Sequence, residues 1–193
     1  MLFNNWKKEI FSIPNALSFF RLALIPIYIS IYLNAQTATD YFLAAGILAV
    51  SCLTDLADGR IARQYNMVTT LGKILDPLAD KMTQFTLIVC LAIKYPILWY
   101  VLILFMVKEL FQLIAGGIKL KQGIILKGAL FSGKICTTVL FCSLIVLVMV
   151  PTLTHLSVTI LATTDFIFLL YSFINYLYVY FKVGNNFQKL ESS

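Results

Sequence analysis

The sequence predicts an all-α integral membrane protein, a six-transmembrane-helix bundle preceded by a short N-terminal interfacial helix. Of its 193 residues, 60% are hydrophobic, and the mean hydropathy is +0.88, above the range of ordinary soluble domains. Six mostly apolar stretches are long enough to cross a hydrocarbon layer about 30 Å thick as helices. The connections between them are short, which favours a single membrane domain.

The six predicted spans follow one another with little intervening sequence. They cover residues 13–34, 40–64, 72–94, 96–119, 128–150 and 156–182. Before them, apolar residues from Leu2 to Ile10 recur at helical spacing beside two lysines, a pattern typical of a helix lying in the membrane surface. A frayed tail is the alternative. We therefore expect an interfacial helix over 1–12 and a membrane domain over 13–185.

The positive charges lie in alternate connections. The chain carries 15 Lys and Arg against 9 Asp and Glu, a net charge of +6. Cations precede the first span, separate spans two and three and spans four and five, and follow span six, whereas the opposite connections carry only Lys94. The positive-inside rule then places both termini on the cytoplasmic side. We expect a bacterial cytoplasmic membrane, contact with its lipids, and no nucleic-acid partner.

Four carboxylates cluster where the second predicted span ends and the third begins. Asp55, Asp58, Asp76 and Asp80 fall within 26 residues. On helices, separations of three and four residues place each pair on one face. Antiparallel packing of the two helices would then bring all four together as ligands for hard divalent cations. The pattern predicts a site on the cytoplasmic side for hard divalent cations, Mg²⁺, Mn²⁺ or Ca²⁺, with two ions per site; a set of ordinary surface salt bridges is the alternative.

Small residues and an arginine accompany the carboxylates. Gly59 and Ala62 open one face of the second helix, and Arg63 adds a planar donor suited to phosphate. Gly72 allows the third helix to approach closely. Cations, an arginine and an open backbone face together favour the binding of a pyrophosphate group.

These positions form the pattern D-x2-D-G-x2-A-R-x8-G-x3-D-x3-D, which resembles the signature of the CDP-alcohol phosphatidyltransferases at every fixed position. The resemblance extends to the segment from Ile13 to Arg21 and to the six-span layout. It implies an enzyme that transfers a phosphatidyl group from CDP-diacylglycerol to an acceptor alcohol and releases CMP. It also implies a homodimer.

The resemblance implies roles for individual residues. Asp55, Asp58 and Asp76 would ligate metal, and Asp80 would both ligate metal and act as the catalytic base. The positions expected to contact the CDP-lipid are Asp58, Gly59, Ala62, Arg63, Gly72, Asn15 and Arg21.

Charged residues inside the spans are the other anomaly. Arg21 lies about 12 Å along the first helix, where an arginine costs at least ~2.5 kcal/mol on insertion scales unless it is paired. We expect its partner to be a motif carboxylate or the bound pyrophosphate, with extension of the side chain to the headgroups as the alternative. Lys81, Lys108 and Lys134 are candidates for binding the acceptor; extension to the headgroups is the alternative for Lys81 and Lys134. Glu109 is a candidate partner of Lys108 or of a lysine in span five.

Two segments of the sequence bear on which acceptor alcohol the enzyme would use. The segment 133–137 resembles the G-K-x-K-T segment of phosphatidylglycerophosphate synthases, but Cys136 replaces the second lysine. That subgroup also has arginine where this chain has Lys108 and Gly116. Glycerol-3-phosphate is the preferred acceptor, and phosphatidylglycerol, as in cardiolipin synthases, is the alternative; inositol phosphate and serine are less favoured.

Two other classes of protein remain. A cation transporter could use the aspartates as its ion site, but transporters favour carboxylates near the bilayer midplane. A catalytically silent scaffold is disfavoured because every motif position is intact.

Overall fold

The computed structural model describes the backbone of residues 13–64, 72–121, 131–150 and 152–191. It describes the side chains there except those of residues 13–14, 55–64, 73–74, 119–121, 131 and 182–191. All the regular structure in these ranges is helical, which confirms the all-α part of the prediction. The helices are α1 Ile13–Leu33, α2 Ala38–Gln64, α3 Gly72–Lys94, α4 Leu98–Lys121, α5 Phe131–Met149 and α6 His155–Glu191.

The helices agree closely with the predicted spans, except that α6 continues to Glu191 where the prediction ended at residue 182. The added turns are polar, and a polar segment can extend a helix without being part of a span. The interfacial helix predicted over 1–12 lies outside the described residues.

Four of the described helices are long and apolar enough to cross a membrane. The apolar stretches are Asn15–Leu33, Leu98–Ile118, Ser132–Met149 and His155–Phe181. In α2 the apolar part, Ala38–Thr54, is shorter, and α3 carries Asp76, Asp80 and Lys81 in its first half. Large apolar side chains point outward, such as Leu113, which is 74% exposed. Apolar surfaces of this kind, on helices long enough to span a bilayer, indicate a membrane protein.

The chain divides into two compact units, residues 1–94 with 145–152 and residues 95–144 with 153–193. In the first unit, α1 packs against both α2 and α3. Its interior contains fully buried side chains from all three helices, including Tyr28, Leu48 and Leu87. This packing places α1 beside the beginning of α3, where the second half of the acidic motif lies.

The beginning of α2 is fixed by a capping box. The backbone N–H of Thr37 donates to Asp40 Oδ2 at 2.8 Å, and the backbone N–H of Asp40 lies 3.4 Å from Thr37 Oγ1. Each side chain therefore satisfies a backbone group that the first helical turn leaves open. From this cap, α2 runs about 40 Å to Gln64, so Asp55 and Asp58 lie within its last ten residues.

An aromatic cluster joins the three helices at the end away from the acidic motif. Lys94 Nζ lies 4.2 Å from the centroid of the Tyr41 ring and 3.2 Å from its hydroxyl oxygen. Tyr41 meets Tyr32 edge-on, with 5.7 Å between centroids, and Tyr32 stacks on Tyr28 at 5.6 Å. Such contacts add to apolar burial and fix the register of α1, α2 and α3.

In the second unit, α4 packs on α6, and α5 meets α6 through polar contacts. Asp165 of α6 is fully buried, and its carboxyl oxygens lie 2.6 Å and 2.5 Å from Ser143 Oγ on α5. Ser143 Oγ also lies 3.1 Å and 3.0 Å from the carbonyl oxygens of Val139 and Leu140. Ser143 Oγ donates to the buried carboxyl group of Asp165, and this contact links α5 to α6.

Candidate active site

The first turns of α3 present two carboxylates one turn apart. Asp76 and Asp80 are partly exposed, and the Asp80 side chain is 45% exposed. The residues directly before the two carboxylates, Leu75 and Ala79, are buried at 8% and 0% exposure. The beginning of α3 therefore directs its apolar side chains into the first unit and keeps both carboxylates accessible.

A polar stripe on α1 meets these carboxylates. Asn15, Ser18 and Arg21 are three residues apart and almost completely buried, at 0%, 0% and 2% exposure. Ser18 Oγ donates a hydrogen bond to Asp76 Oδ1, and Arg21 Nη1 donates to Asp80 Oδ1 in an ion pair. The later residue of α1 contacts the later residue of α3, so the two helices run in the same direction through the site.

Arg21 finds the kind of partner that its depth in α1 predicts. A buried guanidinium is costly unless hydrogen bonds and an opposite charge compensate, and Asp80 supplies both. Pairing with a motif carboxylate was one of the two expected partnerships. The predicted role of Arg21 in binding CDP-lipid stays a prediction, as does that of Asn15, which lies buried one turn before Ser18.

Sequence reasoning gave no role to Ser18, although this residue makes the contact to Asp76. Serine in an apolar helix is commonly bonded to the carbonyl one turn earlier, as Thr83 is to Ala79 O at 2.9 Å. The one signal available was the three-residue spacing that places Ser18 on the same helical face as Arg21.

The first half of the motif lies on α2. The backbone is helical from Ala38 to Gln64, as predicted, so Asp55 and Asp58 share one face of a helix. The side chains of Asp55, Asp58, Gly59, Ala62 and Arg63 lie outside the described residues. Gly72 is described; it is buried at the first position of α3.

The carboxylates on α3 fit a divalent cation by the chemistry of their oxygens. Asp76 makes its one hydrogen bond in the described chain through Oδ1, which leaves Oδ2 for a ligand. Hard cations such as Mg²⁺ prefer carboxylate oxygens. Among the side chains that the structure describes, no group of three His, Cys, Asp or Glu residues is gathered around one point. Two of the four predicted ligands fall outside that set, so the four-carboxylate cluster stays a prediction.

Lys108, a candidate for acceptor binding, is buried in the second unit at 2% exposure. Its Nζ donates to Glu109 Oε1 at 2.7 Å and to Gln112 Oε1 at 3.3 Å, which confirms the expected pairing with Glu109. The ring centroid of Tyr176 on α6 lies 6.0 Å from the same nitrogen. Lys108 is thus held in place on the face of α4 that meets α6.

The other acceptor candidates differ in exposure. Lys134 on α5 is exposed, and Lys81, directly after Asp80 on α3, is partly exposed. Cys136 is 1% exposed. The position where the related segment has its second lysine therefore faces the protein interior in this chain.

A close helix contact precedes these residues on α5. A side chain at Gly133 would place its Cβ 2.7 Å from the hydroxyl oxygen of Tyr176. Next to it, Asn175 Nδ2 donates to Ser132 Oγ at 2.9 Å. Because only glycine permits this approach, Gly133 sets the spacing of α5 and α6 where Tyr176 also faces Lys108.

The comparison with known families identifies the class of protein. The family model described as CDP-alcohol phosphatidyltransferase matches residues 11–175, which include α1, the whole acidic motif and most of α6. The chain belongs to the CDP-alcohol phosphatidyltransferase family.

Individual relatives carry two kinds of name. A Rickettsia bellii protein named CDP-diacylglycerol--glycerol-3-phosphate 3-phosphatidyltransferase is 42% identical over 84 residues, 43% of this chain and 45% of that protein. A Mycobacterium tuberculosis protein named "Probable phosphatidylglycerophosphate synthase" is 29% identical over 135 residues, 69% of this chain and 64% of that protein. A Schizosaccharomyces pombe fusion of cardiolipin synthase (CMP-forming) with a mitochondrial hydrolase is 41% identical over 90 residues, 46% of this chain and 14% of that protein. In each case the match spans less than two thirds of the relative's length.

Proposed function

We propose that this protein is a membrane enzyme of phospholipid synthesis that transfers a phosphatidyl group from CDP-diacylglycerol to an acceptor alcohol and releases CMP. The observation that carries the proposal is the pair Asp76 and Asp80, one turn apart on α3 and bonded to Ser18 and Arg21 of α1. This pair is the second half of a motif that is complete in the sequence, in a chain of the matching family.

Asp55, Asp58, Asp76 and Asp80 would hold divalent cations, Mg²⁺ or Mn²⁺, and we propose two per site. Bound there, the cations would neutralise charge on the pyrophosphate and on the departing phosphate. The all-carboxylate donor set supports this choice over softer metals.

Asp80 is the proposed catalytic base. The acceptor oxygen forms a bond to the phosphorus attached to diacylglycerol, and the bond from that phosphorus to the bridging oxygen breaks. CMP leaves with the bridging oxygen, while Asp80 takes the proton of the acceptor hydroxyl. Arg21 supports this role because it holds Oδ1 of Asp80, which fixes the orientation of a carboxylate that remains 45% exposed.

The CDP group would lie along the same end of α2 and α3. Gly59 and Ala62 would leave room for it, Arg63 would bind phosphate, and Asp58 would ligate both metal and lipid. The buried positions of Gly72 and Asn15 support structural roles in the wall of this site.

Glycerol-3-phosphate is the proposed acceptor, and Lys108, Lys134 and Lys81 are the candidates for binding its phosphate. The names of the Rickettsia and Mycobacterium relatives support it. Phosphatidylglycerol is the second candidate, supported by the name of the Schizosaccharomyces relative. Two positions at which this chain departs from the phosphatidylglycerophosphate synthase pattern also support it. Cys136 replaces a lysine. Gly116 stands where that subgroup has arginine, and a Cβ at this position would meet open space, so packing does not require glycine there.

We further propose that all six helices cross the membrane, that both termini and the acidic site lie on the cytoplasmic side, and that the chain forms a homodimer. The alternation of basic connections supports the orientation. The polar ends of α2 and α3 then lie at the membrane surface, where substrates with charged headgroups arrive.

The decisive assay uses purified full-length protein in detergent with CDP-diacylglycerol and Mg²⁺ or Mn²⁺. Glycerol-3-phosphate, phosphatidylglycerol, inositol phosphate and serine are supplied separately, and CMP release is measured. We expect release with glycerol-3-phosphate and its loss in Asp76→Asn. Release with phosphatidylglycerol alone would move the protein to the cardiolipin synthases. A protein that releases no CMP with any acceptor, yet conducts divalent cations in liposomes, would be a transporter.

A further inference from the structure

We infer that Ser18 is a positioning residue for Asp76: its hydroxyl binds Asp76 Oδ1 and so leaves Oδ2 as the oxygen available to a divalent cation. The inference rests on the proposed function in that it takes Asp76 to be a metal ligand. The polar stripe on α1 would then help to position a metal ligand, a role that is separate from any contact with substrate.

The burial of Ser18 is the first reason. Ser18 is fully buried, and its side chain donates to a carboxylate 58 positions away in the sequence, on another helix. Several threonine hydroxyls in the other described helices donate instead to a carbonyl one turn earlier, as Thr159 does to His155 O and Thr163 to Thr159 O. The hydroxyl of Ser18 thus reaches Asp76 on α3, and a buried contact of this kind restricts the rotation of the carboxylate.

The charge of the partner is the second reason. Asp76 is held by a neutral hydroxyl, whereas Asp80, one turn further on, is held by the guanidinium of Arg21. A neutral donor orients a carboxylate without offsetting its charge, but an arginine offsets much of it. The two carboxylates are therefore made unequal by their α1 partners, and of the two Asp76 keeps the larger attraction for a cation.

Partners of this kind usually matter for metal binding. Groups that hydrogen-bond to ligating carboxylates fix their orientation, and their removal typically weakens metal affinity by about 10- to 100-fold. We expect Ser18→Ala to weaken cation binding within this range. Ser18→Thr, which retains the hydroxyl, should bind the cation within about threefold of the parent.

The test measures Mn²⁺ binding to the full-length protein in detergent, followed by the electron paramagnetic resonance signal of free Mn²⁺. The parent, Ser18→Ala, Ser18→Thr and a control on the same helix, the exposed Ser30→Ala, are compared. We expect weaker binding in Ser18→Ala alone. CMP release by this variant should rise towards the parental rate when Mn²⁺ is raised, because the defect lies in cation affinity.

Ser18→Cys provides a second variant in case Ser18→Ala does not fold, since its thiol is a weaker donor and should give an intermediate loss. Parental Mn²⁺ affinity in whichever of these two variants folds would overturn the inference, as would a parent that binds no Mn²⁺. A parent that binds Mn²⁺ but releases no CMP with any acceptor would instead overturn the proposed function, and the binding comparison would still decide the role of Ser18.

Discussion

Arg21 and Asp80 form an ion pair with very unequal burial: the arginine side chain is 2% exposed and the aspartate side chain 45%. One end of the pair therefore belongs to the interior of the first unit and the other to its surface. If its partner is removed, the carboxylate of Asp80 is still open to water, whereas the guanidinium of Arg21 is buried away from water.

This asymmetry predicts unequal effects of removing the two charges. Arg21→Met keeps an unbranched side chain in the interior and leaves a carboxylate that water can reach. Asp80→Leu removes the carboxylate from a buried guanidinium. We expect Asp80→Leu to cost about 2–3 kcal/mol of stability, reduced from the value for a fully buried pair because Asp80 is half exposed. Arg21→Met should cost less.

Thermal unfolding in detergent without divalent cations would measure both variants. The control is Lys134→Met, which removes an exposed cation from α5 and should leave Tm almost unchanged. Equal losses of Tm for Asp80→Leu and Arg21→Met would contradict the asymmetry.

The second prediction concerns the division of work between Asp80 and Asp58. Asp80→Asn keeps an oxygen that can ligate a cation but is a very poor proton acceptor. CDP-lipid binding in the presence of metal should persist, measured by calorimetry, while CMP release falls by about 10²- to 10⁴-fold. Asp58→Asn should weaken both binding and turnover. Near-parental turnover of Asp80→Asn at saturating acceptor would assign the base to another group.

The third prediction concerns Gly59 on α2. Gly59→Leu should block CDP-lipid binding while the protein stays folded, because the added side chain would fill the proposed nucleotide face. The comparison is CDP affinity against Tm in detergent, with Gly46→Leu on the same helix as control, since a side chain at Gly46 would meet open space. Equal CDP affinity in Gly59→Leu and the parent would rule the assignment out.

The fourth prediction concerns the contact of Gly133 with Tyr176. Gly133→Ala should destabilise the second unit by about 1–3 kcal/mol, because the new Cβ collides with the tyrosine hydroxyl. Tyr176→Phe removes that hydroxyl and should recover part of the loss in the double variant. Gly117→Ala, where the added Cβ meets open space, should instead be neutral or stabilising by up to about 1 kcal/mol. A Gly133→Ala variant as stable as Gly117→Ala would show that α5 and α6 are not in tight contact there.

The fifth prediction concerns the buried pair of Asp165 and Ser143. Ser143 donates to the carboxyl group of Asp165, so Asp165→Asn can replace it, because the side-chain amide oxygen also accepts. Asp165→Asn should therefore unfold close to the parental Tm. Asp165→Ala should lose about 1–3 kcal/mol, since it removes a buried hydrogen bond. Equal losses in the two variants would show that the hydrogen bond from Ser143 does not stabilise the protein.

The sequence was sufficient to predict the helices because apolar length and basic connections define spans in a membrane protein. Arg21 was predicted to find a carboxylate or a pyrophosphate because an unpaired arginine at that depth is too costly. The role of Ser18 was missed, since a serine in a helix usually bonds to its own backbone and only the packing of α1 on α3 shows otherwise. Asp165 was overlooked for the same reason: its partner is 22 positions away on another helix.

The most direct test of the central claim is metal-dependent CMP release by the purified protein and by Asp76→Asn. With CDP-diacylglycerol, glycerol-3-phosphate and Mg²⁺ or Mn²⁺, the parent should release one CMP for each phosphatidyl group transferred. The rate should fall by orders of magnitude in Asp76→Asn and in excess chelator, because metal stabilisation of phosphoryl charge is worth several kcal/mol. Full turnover in excess chelator, or an Asp76→Asn variant as active as the parent, would contradict the account.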